Sequence, residues 1–144
     1  MPSAKMNDVD ITTLATMQGA LTSITDEMSQ VVVRTARSPV FKLAKDFSCT
    51  LCDWQARQMI QGDAELPVHV GSIPFVCRAV AEAYEGDIAS GDTFLCNDPA
   101  FGGLHLNDVA LLRPVFVDGA LLFWAVIRAH WLDLGGPSPA DLRR

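Results

Sequence analysis

The chain has 144 residues, of which 49% are hydrophobic, and a formal charge of −6 from 17 acidic and 11 basic side chains. This size and composition are typical of one globular domain with a buried core, so we expect residues 1–144 to form a single domain. The scattered basic residues argue against a nucleic-acid surface, and no stretch has the ~20 apolar residues of a membrane span or the core of a signal peptide, so we expect a soluble cytoplasmic protein.

The first predicted element is a long helix over residues 11–37. Asp10 is its expected N-cap, and Pro39 ends the pattern because a proline disfavours helical geometry in the residue before it. Apolar residues recur at alternating spacings of three and four, which places them on one stripe that we expect to pack against the rest of the fold. The stripe consists of Leu14, Met17, Leu21, Ile24, Met28 and Val31.

Residues 47–53 predict a short strand that runs into a turn. Cys49 and Cys52 form the only close pair among the four cysteines of the sequence. A zinc ribbon requires a second close pair, and a small secreted domain would be denser in cysteine, so we interpret these residues as reduced, apolar strand residues.

A second helix is predicted over residues 74–84. Pro74 is tolerated in a first helical turn, and Gly86 suits the C-terminal end. A short apolar run at residues 93–96 then leads into residues 97–103, which are so rich in turn-forming side chains that we expect an ordered loop.

The clearest local signal is a β-hairpin. Residues 109–117 and 120–130 are rich in apolar, β-branched and aromatic side chains, and they are separated only by Asp118-Gly119. This dipeptide favours a type I′ turn between two antiparallel strands. The expected fold class is therefore α+β, with a long N-terminal helix packed on a mainly antiparallel sheet that contains a long hairpin.

The open end of this hairpin brings candidate metal ligands together. The register of a two-residue turn places Asn107 opposite His130, so that His130 returns beside Asp108 and His105. Two imidazoles and one carboxylate that converge from a loop and a strand end match the 2-His-1-carboxylate arrangement, which leaves open positions on a transition metal.

The residues alone leave alternatives open. His105 and Asp108 are three apart, which places them on opposite faces of a regular strand, so the metal site requires a turn through residues 106–107. Otherwise the two histidines are unrelated, with His105 in a loop and His130 as a hydrogen-bonded group at a strand end. Asp133 repeats the His-x-x-Asp spacing with His130, as a further ligand, an acceptor for an imidazole N–H, or a turn residue.

Several dispersed segments resemble the hydantoinase B/oxoprolinase family, which includes N-methylhydantoinase B and the alpha subunits of acetone carboxylases. Asn97-Asp98-Pro99, Gly102-Gly103 and His105-Leu106-x-Asp108-Val109 resemble the signature loop, and Ala129-His130-x-x-Asp133-x-Gly135-Gly136 resembles the second signature. Weaker matches follow the same order at residues 27–28, 34–39, 46–49, 67–74 and 91–94. The resemblance spans nearly the whole chain and corresponds to the amino-terminal portion of the family.

The resemblance implies that His105, Asp108 and His130 bind a divalent metal, with manganese favoured and zinc or iron as alternatives. It assigns no catalytic residue. The residues expected in the pocket or behind the ligands are Asp133, His69 and Asp98. A hydantoinase A-type partner subunit is implied to use ATP, so ATP is expected on the partner and not on this chain.

The implied activity is the ATP-coupled ring opening of a cyclic amide, such as a hydantoin or 5-oxoproline, or the related carboxylation of a small ketone. Family members run to several hundred residues, so this chain is short. A short subunit completed by another polypeptide, a split gene product and a fragment all stay open as explanations. A second hypothesis follows, in which a non-catalytic remnant or assembly subunit binds metal without turnover.

Two further departures lie beside the expected ligands. Asn107 stands where the family usually has a proline, and Trp131 stands where a second histidine is common. We expect these changes to alter the loop and the pocket. The proposed ligands themselves are retained.

Overall fold

The computed structural model describes residues 9–62, 66–132 and 134–135. In these ranges the helices are α1 (Ile11–Thr35) and α2 (Pro67–Ala83), with a π-helical turn at Val40–Ala44 and a 3-10 turn at Pro99–Phe101. The strands are β1 (Phe47–Asp53), β2 (Gln58–Gln61), β3 (Phe94–Cys96), β4 (Asp108–Val117) and β5 (Ala120–His130). Neither α-helix combines the length and the apolar character that crossing a membrane would require.

The strands form one five-stranded sheet in the order β2-β1-β5-β4-β3, and every neighbouring pair is antiparallel. The predicted α+β class is therefore confirmed. The larger apolar cluster lies between α2 and the sheet, and it includes Cys52, Ile73, Val76, Cys77, Leu112, Trp124 and Val126. A smaller cluster on the other face is formed by Phe47, Cys49 and Ala129 with Met28, Val32, Val33 and Phe41 around them.

Strand β1 occupies the predicted residues, and its two cysteines are buried. Because β1 lies between β2 and β5 and is covered on both faces, its side chains are buried almost without alternation. Cys49 faces the α1 side and Cys52 faces the α2 side, so the two sulfur atoms belong to different clusters. This arrangement agrees with cysteine used as a small apolar residue.

Helix α1 begins as predicted, because the Asp10 carboxylate accepts the backbone N–H groups of Thr12 and Thr13. The predicted packing stripe is wrong for most of the helix: residues 11–20 are exposed throughout, and Ile24 and Val31 are 46% and 56% exposed. The helix meets the sheet only near its C-terminal end, through a neighbouring face. That face carries Thr25, Val32 and Val33, together with Met28, the residue of the predicted stripe that does pack against the cluster around Phe47 and Cys49.

Helix α2 begins at Pro67, well before the predicted start at Pro74, which lies inside the helix. Pro67 takes the first-turn position, where a proline sacrifices no intrahelical hydrogen bond. Pro74 does remove one, and burial of the flanking Ile73 and Val76 against the sheet offsets that loss.

The hairpin forms as predicted, but its register differs by one residue. A β-bulge leaves Leu122 without a partner on β4, so that Asp108, and not Asn107, lies opposite His130. The prediction was wrong because a bulge adds a residue to one strand, and pairing counted from the turn does not include it. The correction places a carboxylate and an imidazole in directly opposed positions.

Candidate metal site

Asp108 is the centre of the candidate site. It is the first residue of β4, is 1% exposed, and lies on the sheet face that α2 covers. Its Oδ1 is 2.7 Å from Nδ1 of His130, the last residue of β5. Its Oδ2 accepts the backbone N–H of His105 at 3.0 Å and lies 3.3 Å from the His105 Nδ1 atom. One buried carboxylate therefore contacts both histidines.

A turn brings His105 to the same place. The backbone N–H of Asp108 donates to the His105 carbonyl at 2.9 Å, which closes the turn through residues 106–107 that the sequence prediction required. Asn107 continues the hairpin beyond its last ladder pair, because its backbone carbonyl accepts the Trp131 N–H and its side-chain amide donates to the Trp131 carbonyl. Asn107 and Trp131, the two residues that differ from the family pattern, are therefore hydrogen-bonded to each other.

The three side chains offer ligand atoms that all lie within 4.8 Å of one another. The His105 and His130 rings are 5.8 Å apart between centroids and nearly perpendicular. Exposure falls from 73% for His105 to 24% for His130 and 1% for Asp108, so the cluster is open on one side and buried on the other. Two imidazoles and one carboxylate with an open side are a donor set that suits a transition metal with free coordination positions.

His69 approaches the cluster from α2. Its side chain is nearly buried, and Nε2 lies 4.0 Å from Asp108 Oδ1 and 3.7 Å from Oδ1 of Asp46. Burial lowers the pKa of His69 below its ordinary value, although the carboxylates of Asp108 and Asp46 act in the opposite direction. Burial thus favours the neutral imidazole of His69, which lies between two carboxylates.

The other residues expected around the site differ in position. Asp98 is exposed and accepts the N–H of Ala100 at 2.8 Å, so it caps the 3-10 turn of the loop. Asp133 lies outside the described residues. Asp46, which precedes β1, adjoins the site by two contacts. Its carboxylate lies beside the His69 ring, and its backbone carbonyl accepts the N–H of His130 at 3.0 Å.

The sequence prediction did not include Arg128 or Ser72, which lie beside the cluster. Both side chains are buried, and they are hydrogen-bonded to each other. The sequence did contain a signal for Arg128, because side chains alternate between the two faces of a strand. Arg128 is two residues before His130 on β5, so both side chains face α2. A charged residue within an otherwise apolar run was the feature that could have drawn attention.

The fold and the site define the class: an α+β domain with a candidate metal site at the open end of a β-hairpin. A sequence model described as Hydantoinase B/oxoprolinase matches residues 10–144. The chain therefore belongs to the hydantoinase B/oxoprolinase family.

Individual relatives agree with this assignment. The caprolactamase subunit beta of Pseudomonas jessenii is 42% identical over 135 residues, which are 94% of this chain and 23% of that protein. The 5-oxoprolinase of Saccharomyces cerevisiae is 32% identical over 136 residues, 94% of this chain and 10% of that one. This chain thus spans less than a quarter of the length of either relative.

Solved structures show the same relation. The crystal structure of the ATP-dependent caprolactamase from Pseudomonas jessenii matches with a TM-score of 0.84 and 41% identity, over 93% of this chain and 23% of that chain. A nucleotide-free acetone carboxylase structure matches with a TM-score of 0.76 and 20% identity, over 85% of this chain and 16% of the other. The second match supports the fold alone.

Proposed function

We propose that this chain is the metal-binding part of an ATP-coupled enzyme that opens cyclic amides by hydrolysis, or of a related ketone carboxylase. His105, Asp108 and His130 are the proposed ligands. The single observation that carries the proposal is their convergence, with ligand atoms within 4.8 Å of one another around one buried carboxylate. Membership of a family that contains a caprolactamase subunit and 5-oxoprolinases supports the substrate class.

The donor set favours a divalent transition metal, and we propose manganese first, with zinc or iron as alternatives. Such an ion polarises a carbonyl oxygen or lowers the pKa of bound water toward neutrality. The exposed side of the cluster, formed by His105, is the side from which substrate would approach. The buried side, formed by Asp108, orients the His130 imidazole through a hydrogen bond.

His69 has a supporting role in this proposal. Because burial favours its neutral form, His69 has an N–H to offer the Asp108 or Asp46 carboxylate without adding positive charge beside the cation. Asp98 acts at a greater distance, by shaping the loop that precedes His105. We also propose Asp133 as an acceptor for an imidazole N–H, from its spacing to His130 in the sequence.

Resonance makes the carbonyl of an unstrained amide a poor electrophile, so coupling to ATP supplies driving force for its hydrolysis. We propose that a hydantoinase A-type subunit binds ATP and provides this coupling, and that ATP does not bind to this chain. The descriptions of one relative, the caprolactamase, support this division, since the matching protein is a subunit beta and the solved structure is described as ATP-dependent. The substrate classes proposed are hydantoins, 5-oxoproline and small ketones.

A second candidate is a remnant or assembly subunit that binds metal without turnover. The chain spans 23% of the length of the caprolactamase beta subunit. In both candidates we propose that residues 1–144 form one domain, equivalent to the amino-terminal part of a family member, and that the protein works in the cytoplasm.

Metal analysis of the purified chain tests the site. We expect about one divalent ion per chain in the wild type and much less in H105A, because loss of one of three protein ligands leaves the ion weakly held. E85Q, an exposed substitution beyond the C-terminal end of α2, is the matched control and should keep its metal. A wild-type chain that takes up no Mn²⁺, Zn²⁺ or Fe²⁺ would defeat the proposal.

A separate assay distinguishes the two candidates. The chain is mixed with a hydantoinase A-type partner, ATP and either hydantoin, 5-oxoproline or a small ketone, and product formation is followed. Product that depends on both ATP and His105 supports the enzyme. Metal binding without product for any of the three substrate classes supports the remnant.

A further inference from the structure

Arg128 is a buried charge beside the candidate metal site. Its side chain is fully buried on the sheet face that α2 covers, two residues before His130 on β5. Burying a guanidinium is costly unless hydrogen bonds and an opposite charge compensate it. Asp108 supplies the opposite charge, and it favours the protonated guanidinium against the burial that lowers the Arg128 pKa.

The hydrogen bonds of Arg128 join two separate segments of the chain. Its Nη1 donates to the Ser72 hydroxyl on α2 and to the Gly102 carbonyl at 2.6 Å. The Ser72 hydroxyl in turn donates to the backbone carbonyl of His69 at 2.7 Å. One nitrogen of Arg128 therefore links the helix turn that carries His69 to the loop that precedes His105.

This loop lies directly against α2. Gly102 has φ +84°, and a Cβ there would be only 2.6 Å from Phe75 Cβ. A Cβ at Gly103 would lie 2.8 Å from the backbone oxygen of Asp98 in the same loop. Glycine is thus required at both positions. The close approach is what brings the Gly102 carbonyl within reach of Arg128.

His105 depends on this loop more than the other two candidate ligands depend on theirs. Asp108 and His130 are held by direct strand pairing, whereas His105 precedes β4 and is 73% exposed. Its position rests on the turn to Asp108 on one side and on the anchored Gly102 on the other. A ligand on an irregular segment needs such anchors to be held in productive geometry.

The remaining N–H groups of Arg128 do not point to direct ligand contact. Nε and Nη2 are buried and have no hydrogen-bond partner within the described ranges. Because these atoms are shielded from solvent, a dissolved substrate has no direct access to them. The guanidinium acts on the site through the segments that it holds.

We propose that Arg128 is a positioning residue for the metal site: it fixes the loop before His105 against α2 and so holds His105 where it can share an ion with Asp108 and His130. The inference rests on the metal site of the proposed function. Losing a residue that orients ligands typically weakens metal binding about 10- to 100-fold, and we expect R128M to fall in this range.

The experiment measures Mn²⁺ affinity from the electron paramagnetic resonance signal of the free ion, together with the visible spectrum of the Co²⁺-loaded chain. R128K should recover part of the affinity lost in R128M, because an ammonium can donate to both the hydroxyl and the carbonyl. V126A is the matched control, since it removes buried side-chain volume from the same strand and face. It should lower the unfolding temperature and leave the Mn²⁺ affinity and the Co²⁺ spectrum near wild type.

The outcomes separate the two proposals. A wild-type chain that binds no ion defeats the metal site itself. Wild-type affinity in R128M, or an equal loss of affinity in V126A, overturns only the role of Arg128. If R128M does not fold, the test uses R128K and S72A instead. Weaker Mn²⁺ binding and an altered Co²⁺ spectrum in both variants support the proposal. Unchanged Mn²⁺ binding in both overturns it.

Discussion

Asp108 and His130 are directly opposed across the β4–β5 ladder, and their side chains meet at 2.7 Å between Oδ1 and Nδ1. A carboxylate and an imidazole that begin and end the same hairpin are thereby held by the backbone pairing of the whole ribbon. The distance between them is insensitive to the loops. His105 is the member of the cluster whose position the loops control.

The Asp108 carboxylate should be the most sensitive point of the metal site. D108N keeps the shape and an oxygen that can accept the His105 N–H, but it removes the negative charge shared by the two histidines. We expect a loss of Mn²⁺ affinity greater than the ~10–100-fold typical of residues that only orient ligands. Calorimetric titration measures it, and D118N, at the exposed hairpin turn, is the control that should bind normally. Normal binding in D108N would remove Asp108 from the ligand set.

The bulge residue Leu122 should be dispensable. The bulge allows Leu121 and Trp124 both to face α2 although they are three apart, so deletion of Leu122 restores simple alternation and keeps Asp108 opposite His130. We expect the deletion variant to fold with nearly wild-type Mn²⁺ affinity. Deletion of Ala125 is the matched change. If residues 126–130 keep their partners on β4, Trp124 moves into the position of Ala125 and faces away from the core under α2.

Loss of a buried aromatic side chain from a core costs about 3–5 kcal/mol, so the Ala125 deletion should unfold at much lower denaturant concentration. Urea titrations of both deletion variants, followed by tryptophan fluorescence, make the comparison. Equal destabilisation by the two deletions would mean that the bulge is required for the fold.

Two glycines with nearly the same backbone conformation should respond differently to alanine. Gly86 has φ +82° and open space at its Cβ position, whereas Gly102 has φ +84° and would place a Cβ 2.6 Å from Phe75 Cβ. We expect G86A to cost about 1–2 kcal/mol from the left-handed conformation alone. G102A should cost a further ~1–3 kcal/mol from overpacking and should also weaken Mn²⁺ binding. Equal unfolding free energies for the two variants would contradict the close contact between the loop and α2.

The Asp53 carboxylate should make stability depend on pH on the acid side. Burial raises its pKa, but the hydrogen bonds from Arg57 and from the Gln55 backbone, together with the Arg57 charge, outweigh burial, so the pKa lies below its ordinary value. The folded chain then binds a proton less readily than the unfolded chain. Stabilisation by Asp53 is present above the unfolded pKa of about 3.9 and is lost as pH falls through the lower, folded pKa.

Urea midpoints measured from about pH 6 down to about pH 2 give the test. D53N should be less stable than the wild type near neutrality and should show a shallower decline with falling pH. D118N, a substitution at an exposed turn, is the control for removing a carboxylate and should keep the wild-type urea midpoint near neutrality. A D53N curve parallel to that of the wild type would show that the Asp53–Arg57 turn contributes nothing to acid sensitivity.

The predictions that succeeded depended on local chemistry. Asp10 begins α1 because a short acidic side chain can accept the free N–H groups of the first turn. Asp118-Gly119 forms the hairpin turn because both residues adopt positive φ there, +51° and +79°. The turn from His105 to Asp108 was required by spacing and is present. In each case residues near one another in the chain were sufficient.

The predictions that failed depended on neighbours that are distant in the sequence. The apolar stripe of α1 was correctly periodic, but the helix packs on the sheet only toward its C-terminal end, on a neighbouring face that shares Met28 with the stripe. The start of α2 moved to Pro67 because burial of the first turns against the sheet outweighs the interior proline. The hairpin register moved by one because of the bulge at Leu122.

The amino-acid sequence alone determined the family, the long first helix, the hairpin and the three side chains of the candidate metal site. The helix and the hairpin follow from short spacings and turn chemistry, which do not depend on the rest of the fold, whereas the family and the set of three ligands follow from the resemblance of dispersed motifs. Only the tertiary structure decided that Asp108 faces His130, that His69 lies behind them, and that Arg128 joins α2 to the loop. Those relations come from side chains that must share one buried face of a sheet, and strand pairing and packing choose which of them meet.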